Sequence, residues 1–512
     1  MSAHPERLFT RADWTGDRTL DCDVVVIGSG AGGAVTAAEL AESGLDVILL
    51  EEGGYNPTES FKPEALRAAR TLYRDGGGTV SIGNPAIAYQ EGCTVGGSTA
   101  INGGMSWRTP ERILERWYRE DGLDDILPRD MDARFQRVEK RISARHQDPS
   151  TIGRDNQLLK AGADKKGWEV IDNIRNQVHC VGSNTCAFGC PTGAKQSTLV
   201  TYVPRALAFG ARLYADCRVD KLIVERGHVR GVTGRVKRDD GGPSHRFTVR
   251  ARAVVSSAGA MHTPALLLRS GIRSPSGRLG HNLSMHPNVK VIAQFDDPVE
   301  GWKGVHQAYQ VREFQDEGFL FAAVNLPPSV LAMGTPMYGA AMADLLENYN
   351  NILTAGMLLE DSVVGRVRLG PGGQPLPFYQ MSDFDALRLV RGTALLCELL
   401  FAAGARRIVL PFEGVADLHS PDDVRRLFAR PIPKSAMEVV TVHLMGTAAM
   451  GGDPQRHVCD PYGKVRGYEG LWVADASLFP SPIGVNPMET IMALATRNAE
   501  RMLETGAGSK QP

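Results

Sequence analysis

Two side chains near the end of the chain have the chemistry needed to oxidise an alcohol. His443 lies in VHLMGTAAMG, and Asn486 lies further along in SPIGVNPMET. Histidine titrates near neutral pH and can accept a hydroxyl proton. Asparagine can donate to or accept from the alcohol oxygen without adding charge. On residue type alone, a buried structural histidine would explain His443 equally well.

The segment between these residues contains a strand that would bring both of them to one site. LWVADASLFP begins as an apolar run and reaches Asp475. An acid at the carboxyl end of a parallel strand can hold ribose or ribityl hydroxyls, close to where such sheets bind ligands. The alternative is that Asp475 caps the helix that follows. If this strand lies under a bound cofactor, His443 and Asn486 can both face its ring.

The segment from residue 21 to residue 54 has the pattern of a dinucleotide-binding unit. The run VVVI predicts a strand that is buried on both faces. Gly28, Gly30 and Gly33 follow with G-x-G-x-x-G spacing, which allows a tight turn, close approach of a pyrophosphate and close packing of the next helix. Glu51 ends the second strand, where an acid can accept hydrogen bonds from ribose hydroxyls. A purely structural glycine turn would leave this acid unexplained.

The dinucleotide is predicted to be FAD. The chain has one complete glycine turn of this type, whereas enzymes that pass electrons from a nicotinamide to a flavin often have two such folds. RAVVSSAG, in the middle of the chain, is another apolar strand that runs into a glycine turn. With the strand that ends at Asp475, it indicates a nucleotide fold assembled from the start, middle and end of the chain. The glycine cluster EGCTVGGSTAINGGMSW has backbone that can lie flat against a ring or a phosphate.

Composition limits the remaining function classes. The length of 512 residues favours two domains over one. The chain has 57 basic and 58 acidic residues, and we find no basic stripe that would indicate a nucleic-acid partner. The start lacks the layout of a secretory signal, the longest apolar stretch is too short to be a transmembrane segment, and eight cysteines in this length favour a reducing compartment. We therefore expect a cytoplasmic protein.

The chain resembles the glucose–methanol–choline (GMC) oxidoreductases. The resemblance rests on the N-terminal FAD motif, the loop at residues 92–102, and the segments SSAGAMHTPALLLRSGI, LGHNLSMHP, HLMGT and DASLFPSPIGVNP, which occur in the family's order. The GVNP segment is also similar to that of bacterial cholesterol oxidases, and the cysteine-rich region to that of long-chain alcohol oxidases. The resemblance implies FAD, oxidation of a CH–OH group, and a histidine paired with a second histidine or an asparagine at the flavin.

These implied roles carry over onto His443 and Asn486. His443 would take the hydroxyl proton of a small-molecule alcohol while a hydride moves to flavin N5, and Asn486 would hold the developing alkoxide. Oxygen or another acceptor would then reoxidise the flavin. Many family members attach FAD through a histidine in the loop that corresponds to residues 98–102. Here the loop reads STAIN, so we expect non-covalent FAD.

The predicted cofactor-binding residues lie in these motifs. They are Gly28, Ser29, Gly30, Ala31, Gly33, Glu51, Glu52, Gly96, Gly97, Ser98, Asn102, Gly103, Val219, Ala258, Asp475, Ala476, Asn486 and Pro487.

Three cysteines depart from the plain family pattern. Cys180, Cys186 and Cys190 form a C-x5-C-x3-C run followed by Pro191. Cysteine runs that end in Cys-Pro occur at iron–sulfur sites. Some membrane-linked GMC sugar dehydrogenases are similar here, but with C-x4-C at the first gap. We expect free or disulfide-paired cysteines and no metal, with an iron–sulfur cluster as the alternative.

The predicted fold class is α/β, or α+β overall. A Rossmann-like FAD-binding domain is expected from residues 1–106, 196–287 and 441–512. A substrate domain, with an antiparallel sheet flanked by helices, is expected from residues 107–195 and 288–440 and includes the cysteine-rich loop 179–191. Two other functions stay open: a sugar dehydrogenase subunit that passes electrons through an iron–sulfur cluster to a cytochrome, and a lyase on the same fold.

The substrate domain also contains a group of large apolar side chains. Methionine adapts to irregular apolar shapes, so these residues predict either a substrate pocket or ordinary core. Glu360 and Asp361 follow the group and are expected to be surface charges. The apolar residues are Met333, Met337, Met342, Met357, Tyr338 and Leu358.

Overall fold

A computed structural model describes residues 5–238 and 244–508. In these residues the α-helices are α1 (Ala31–Glu42), α2 (Ala65–Leu72), α3 (Glu111–Asp121), α4 (Pro128–Ile142), α5 (Arg154–Lys166), α6 (Tyr202–Ala208), α7 (Gly259–Arg269), α8 (Pro328–Met333), α9 (Ala340–Glu347), α10 (Asp383–Ala402) and α11 (Met488–Glu504).

The strands of the same residues are β1 (Leu8–Phe9), β2 (Arg18–Ile27), β3 (Val47–Leu50), β4 (Thr79–Val80), β5 (Ala88–Tyr89), β6 (Ala144–His146), β7 (Val170–Asp172), β8 (Ile174–Asn176), β9 (Arg212–Tyr214), β10 (Cys217–Glu225), β11 (His228–Val236), β12 (Arg246–Ser256), β13 (His281–Met285), β14 (Asn288–Gln294), β15 (Tyr309–Val311), β16 (Phe319–Val324), β17 (Ile352–Leu359), β18 (Gly365–Leu369), β19 (Pro375–Phe378), β20 (Arg407–Val409), β21 (Val440–Thr441), β22 (Leu444–Met445) and β23 (Leu471–Val473).

The first sheet is the one predicted for nucleotide binding. Within the described part of the chain its order is β1-β9-β3-β2-β12-β11-β10, and β23 pairs with β12. β2 lies parallel to β3 and β12, and β23 lies parallel to β12. Val24, Val25 and Val26 are fully buried, as their β-branched run predicted. The Rossmann-like architecture, assembled from the start, middle and end of the chain, is confirmed.

The second sheet is mainly antiparallel and has the order β4-β5-β21-β14-β17-β16-β15-β7, with β20 beside β14. Helices α5 and α10 pack against it. Along β14, Val289 and Val291 are fully buried, whereas Asn288 and Lys290 on the other face are partly exposed. One face of this sheet therefore covers the core, and the other lines a more open region.

The second sheet is connected at two points to a smaller sheet, whose order is β19-β18-β13-β22. β13 is followed directly by β14, and β21 is followed by β22. Since β13 pairs with β22 and β14 pairs with β21, the two connections lie side by side. The strands β4 and β5 belong to the second sheet, and the predicted domain boundaries stay a prediction.

The methionine-rich group does not line one pocket; the expectation of ordinary core is confirmed for Met357 and Leu358 and is wrong for Met333 and Tyr338. Met333 and Tyr338 are 86% and 89% exposed, because the short helices α8 and α9 lie at the surface. Met357 instead points into the core beneath α10.

Among the described helices, we find none with the length and apolar character that a membrane crossing requires.

Asp361 is not a surface charge either. Its carboxylate is buried and accepts hydrogen bonds from the Met285 amide at 2.8 Å and the Tyr379 hydroxyl at 2.9 Å. Burial raises the pKa of Asp361 well above its ordinary value. Glu360 is partly buried and pairs with Arg112 at 2.6 Å.

Candidate active site

The turn between β2 and α1 has the close packing that its glycines predicted. Gly28 has a φ of +96°, and a Cβ at this position would overlap the carbonyl of Ser257. A Cβ at Gly33 would overlap the carbonyl of Gly28. Gly30 precedes Ala31, the first residue of α1, and no side chain caps this helix end. The free N–H groups of the first turn are therefore available to a phosphate.

Acidic side chains at the end of β3 hold the surrounding loops. Glu51 Oε2 accepts from the Ser29 amide at 2.9 Å and the Ser29 hydroxyl at 2.7 Å, and Glu51 Oε1 accepts from the Gly53 amide at 2.8 Å. Glu52 pairs with Arg74 at 3.1 Å. Burial raises the pKa of Glu52, but the Arg74 charge outweighs it and brings the pKa to about 2.

The second glycine cluster packs directly on the first. The Gly96 amide donates to the Ser29 hydroxyl at 2.9 Å. A Cβ at Gly97, whose φ is +51°, would lie 2.9 Å from the Cα of Gly30. The Ser98 hydroxyl accepts from the Gly92 amide at 2.9 Å. The two loops thus form one cradle of backbone.

Asp475, at the end of β23, joins this strand to α7. Its Oδ2 accepts from the Gly259 amide at 2.9 Å and the Thr263 hydroxyl at 2.5 Å, and its Oδ1 accepts from the Ser477 amide at 2.8 Å. Asp475 therefore caps the short turn after β23 and also fixes the start of α7. Burial raises its pKa.

The remaining predicted cofactor residues surround this region. Ala258 precedes α7, the carbonyl of Ala476 accepts from the Gly446 amide at 3.0 Å, and Val219 is a buried residue of β10. Asn102 Nδ2 contacts Met488 Sδ at 3.0 Å, just beyond Pro487.

Gly103 packs against the substrate side of the molecule. A Cβ there would lie 2.5 Å from Gln307 Oε1 and 3.1 Å from the His306 ring. The backbone of the glycine cluster thus comes close to the loop that carries His306 and Gln307. This loop leads into β15 of the second sheet.

The structure brings His443 together with Asn486 and with a second histidine. Asn486 Nδ2 lies 3.4 Å from His443 Nε2, and His286 Nδ1 lies 3.0 Å from His443 Nδ1. The imidazole rings meet edge to face at 89°. The Thr441 hydroxyl, beside both segments, accepts from the His443 amide at 3.2 Å. His443 and Asn486 remain partly exposed, so they face an accessible space.

The proton positions on the His286 and His443 rings follow from the Gly484 amide, which can only donate. It lies 3.1 Å from His286 Nε2, so the neutral His286 ring carries its proton on Nδ1. That proton points at His443 Nδ1, and a neutral His443 then carries its own proton on Nε2. The tautomer with Nε2 free requires His286 to accept at Nδ1 and loses the bond from Gly484, at a cost of about 1–3 kcal/mol.

Electrostatics keep these rings uncharged. Burial, and then the charge of Lys290, lower the pKa of His443 to about 4. Burial and the neighbouring His443 lower the pKa of His286 well below its ordinary value. In the described residues Asn486 Oδ1 is buried and has no hydrogen-bond partner. Two N–H donors cannot share a hydrogen bond, so the Asn486 amide group turns Oδ1 toward the protonated Nε2 of the resting His443. The site therefore offers a neutral imidazole beside an amide group that can turn.

These observations fit FAD. The backbone cradle has no room for a side chain at Gly97, and the uncapped end of α1 suits a pyrophosphate. Glu51 and Asp475 stand at the carboxyl edge of parallel strands, where such sheets bind ligands. Both acids already anchor loops, and their predicted contacts to the cofactor's hydroxyls stay a prediction.

The cysteine-rich loop forms a separate cluster. Cys180, Cys186 and Cys190 line a cavity of about 20 Å³, and all three are free thiols. Lys195 Nζ, buried behind them, donates to the carbonyls of Ala100, Asn102 and Cys186 at 2.7–2.9 Å. Among the described residues, no three His, Cys, Asp or Glu side chains are arranged to hold a metal ion.

Sequence reasoning assigned no role to His286 or Lys290. His286 was visible in LGHNLSMHP, and a second histidine was an option that the family resemblance allowed. Lys290 had no motif of its own. Its only sequence signal was its position two residues beyond Asn288, on the same face of an alternating strand.

Comparisons with known proteins place the chain in a family. The profile described as GMC oxidoreductase matches residues 69–288 and 361–495, and the one described as FAD binding domain matches residues 23–62. An uncharacterized GMC-type oxidoreductase of Sinorhizobium fredii is 38% identical over an alignment of 492 residues, covering 94% of this chain and 95% of that protein. A long-chain-alcohol oxidase of Arabidopsis thaliana is 26% identical over 518 residues, covering 94% of this chain and 68% of that protein.

Solved structures share the fold. Pyridoxine 4-oxidase from Mesorbium loti has a TM-score of 0.73 at 18% identity, covering 94% of this chain and 99% of that chain. A formate oxidase has a TM-score of 0.72 at 16% identity, covering 96% and 99%. The chain belongs to the GMC oxidoreductase family. The predictions of the family, of FAD and of an oxidoreductase are confirmed.

Proposed function

We propose that the protein oxidises the CH–OH group of a small-molecule alcohol to a carbonyl, with His443 as the base. The observation that carries this proposal is the neutral His443 ring with the Asn486 amide group beside its Nε2. FAD, when bound, supplies the hydride acceptor at flavin N5. The long-chain-alcohol oxidase relative supports an alcohol as substrate.

His443 and Asn486 divide the work on the hydroxyl group. A substrate O–H that donates to His443 Nε2 favours the tautomer with this nitrogen free, and so offsets the bond lost between Gly484 and His286. His443 then takes the proton as the hydride leaves the carbinol carbon. The Asn486 amide group turns its Nδ2 donor toward the developing alkoxide.

Anaerobic stopped-flow tests the base. With an alcohol that bleaches the wild-type flavin, His443→Ala should slow flavin reduction by roughly 10²- to 10⁴-fold, the usual range for a positioned base. The control is His228→Ala, which removes an exposed histidine of β11. Reduction of His443→Ala at close to the wild-type rate would remove this residue from the role. A wild type that no alcohol bleaches would overturn the proposed function as a whole.

We also propose that FAD is bound without a covalent link, because the loop at residues 98–102 contains no histidine. Acid precipitation should release all yellow colour into the supernatant. Flavin that stays with the precipitate would contradict this. Repeating the alcohol reaction in air with peroxide detection separates oxygen from another electron acceptor.

The iron–sulfur alternative is not favoured, because the described residues contain no arrangement suited to a metal. Purified protein should show flavin absorbance and no iron. The lyase alternative predicts that an alcohol leaves the flavin oxidised in the absence of oxygen, so the same anaerobic experiment distinguishes it.

A further inference from the structure

Lys290 lies near His443, the candidate base. It lies on β14 two residues beyond Asn288, so these two positions share one face of the strand, and His286 precedes the strand by two residues. The alternate residues Val289 and Val291 are buried in the core on the opposite face. Lys290 is close enough to His443 for its charge to lower the pKa of that ring.

The neighbouring strand leaves room for the lysine. Lys290 is paired with Gly356 of β17, and a Cβ at Gly356 would lie 2.5 Å from Lys290 Nζ. The next positions on this face are Leu358 of β17 and Ala322 of β16. The ammonium group therefore lies on a mainly apolar floor in front of the second sheet.

This ammonium group has no acidic partner in the described residues. Its hydrogen bond goes to Asn288 Oδ1, and no carboxylate lies within ion-pair distance. The acids that follow β17 are engaged elsewhere, since Glu360 pairs with Arg112 and Asp361 with Tyr379. Burial lowers the pKa of Lys290 to about 8, so the group is still mostly protonated at neutral pH.

Building on the proposed function, we propose that Lys290 binds a carboxylate of the substrate, and that the substrate is a hydroxy acid. A partly buried charge without a counter-ion is costly, and an anionic ligand removes that cost. One ammonium balances one carboxylate, whereas a phosphate would leave a second charge uncompensated. Asn288, held by the lysine, can donate from Nδ2 to the second carboxylate oxygen.

The separation of the groups sets the kind of hydroxy acid. Lys290 Nζ lies beside Asn288 and over Gly356, and in the described residues it makes no hydrogen bond to either histidine. The acid and the hydroxyl therefore occupy different ends of the space. This arrangement favours substrates with several carbons between carbinol and carboxylate over α-hydroxy acids.

The test uses the FAD-loaded enzyme with ω-hydroxybutanoate, ω-hydroxyhexanoate and ω-hydroxyoctanoate, each beside the neutral primary alcohol of the same length. The wild type should prefer the acids. Lys290→Met should raise KM for the acids by roughly 10- to 100-fold, the range for loss of a hydrogen bond to a charged group, and so remove the preference for the acids over the neutral alcohols of the same length. Lys290→Arg should restore part of the preference, and Lys303→Met, an exposed lysine, should match the wild type.

Binding of hexanoate, which cannot be oxidised, gives a readout independent of turnover. Perturbation of the flavin absorbance should give a Kd that is roughly 10- to 100-fold weaker in Lys290→Met. Equal hexanoate binding in both proteins, or a wild type that prefers neutral alcohols, would overturn the proposal while leaving alcohol oxidation intact. Tighter binding of hexyl phosphate than of hexanoate would overturn the assignment of a carboxylate. A flavin that no alcohol reduces would instead count against the proposed function, and hexanoate binding would still decide the role of Lys290.

Discussion

The histidine cluster and the cysteine-rich loop both carry reactive side chains, yet they differ in how their polar atoms are used. Lys195, in the cysteine-rich region, is buried and gives hydrogen bonds to three carbonyls. At the histidine cluster, Asn486 Oδ1 is without a partner in the described residues, and His443 is partly exposed. Buried polar atoms lack a partner in both regions of the described chain, since Arg175 Nε, Asn176 Oδ1 and Asn184 Oδ1 lie beside the cysteines. The regions differ in their titratable groups: Lys195 is bound to backbone carbonyls and holds loops together, whereas the partly exposed His443 ring can meet a ligand.

After the loss of the base itself, the comparison predicts the largest kinetic effect at Asn486. Asn486→Leu removes the amide that faces the alkoxide, so flavin reduction by an alcohol should fall by roughly 10²- to 10³-fold. Anaerobic stopped-flow measures the rate constant. Asn350→Leu, a change at an exposed asparagine, is the matched control. A loss below about five-fold would mean that the Asn486 amide does not contact the reacting oxygen.

Replacement of Lys195 should instead change the stability of the protein. Lys195→Met removes three hydrogen bonds from a buried ammonium group and should lower the free energy of unfolding by about 2–4 kcal/mol. Chemical denaturation checks this against Lys160→Met, an exposed lysine that pairs with Asp164. Unchanged stability combined with lost alcohol oxidation would reverse the assignment of the two regions.

The pH dependence of flavin reduction should show that the His443 ring is uncharged at neutral pH. A base acts only when unprotonated, so the flavin reduction rate should rise with pH, reach half its plateau near pH 4 and stay flat above. If the base had the ordinary histidine pKa, flavin reduction at pH 5.5 would keep only about a tenth of its plateau rate. Lys290→Met removes a neighbouring positive charge. The imidazolium form of His443 is then more stable, and the midpoint moves to higher pH.

Sequence patterns predicted the parts of the site that depend on local geometry. The turn at Gly28 and the strand before Asp475 are encoded by neighbouring residues, and the structure has both. The partners of His443 depend on how β13 and β14 meet β21 and β22, a contact between segments far apart in the chain. Lys290 could not be found because strand alternation gives a residue's face but not what the face covers.

The failed expectations have the same origin. Met333 and Tyr338 are large and apolar, but α8 and α9 are too short to bury both sides of the segment. Asp361 follows the buried strand β17, and its burial depends on the Tyr379 hydroxyl from another strand segment. Residue type therefore predicted the wrong environment wherever the decisive neighbour was distant in sequence.

His286 should act through the orientation and tautomer of His443, with an effect of about ten-fold. In the tautomer of His443 whose Nε2 is free, His286 accepts a hydrogen bond from His443 Nδ1. His286→Leu removes this acceptor, so flavin reduction should slow. Gln at this position can accept with Oε1 and favours the tautomer whose Nε2 is free. His286→Gln should therefore keep the rate within about three-fold of the wild type. Equal losses in the two variants would show that the ring only fills space.

The smallest effect is expected in the cysteine-rich loop. Burial raises the pKa of the Cys190 thiol, but hydrogen bonds from Thr192 and the Lys195 amide, with the Lys195 charge, outweigh it and lower the pKa overall. A serine at this position can accept the same amide hydrogen bond. Cys190→Ser, alone or with Cys186→Ser, should thus change flavin reduction and reoxidation by less than about two-fold. A ten-fold loss of reoxidation accompanied by loss of bound iron would show that the thiols carry electrons, and the contrast between the two clusters would then fail.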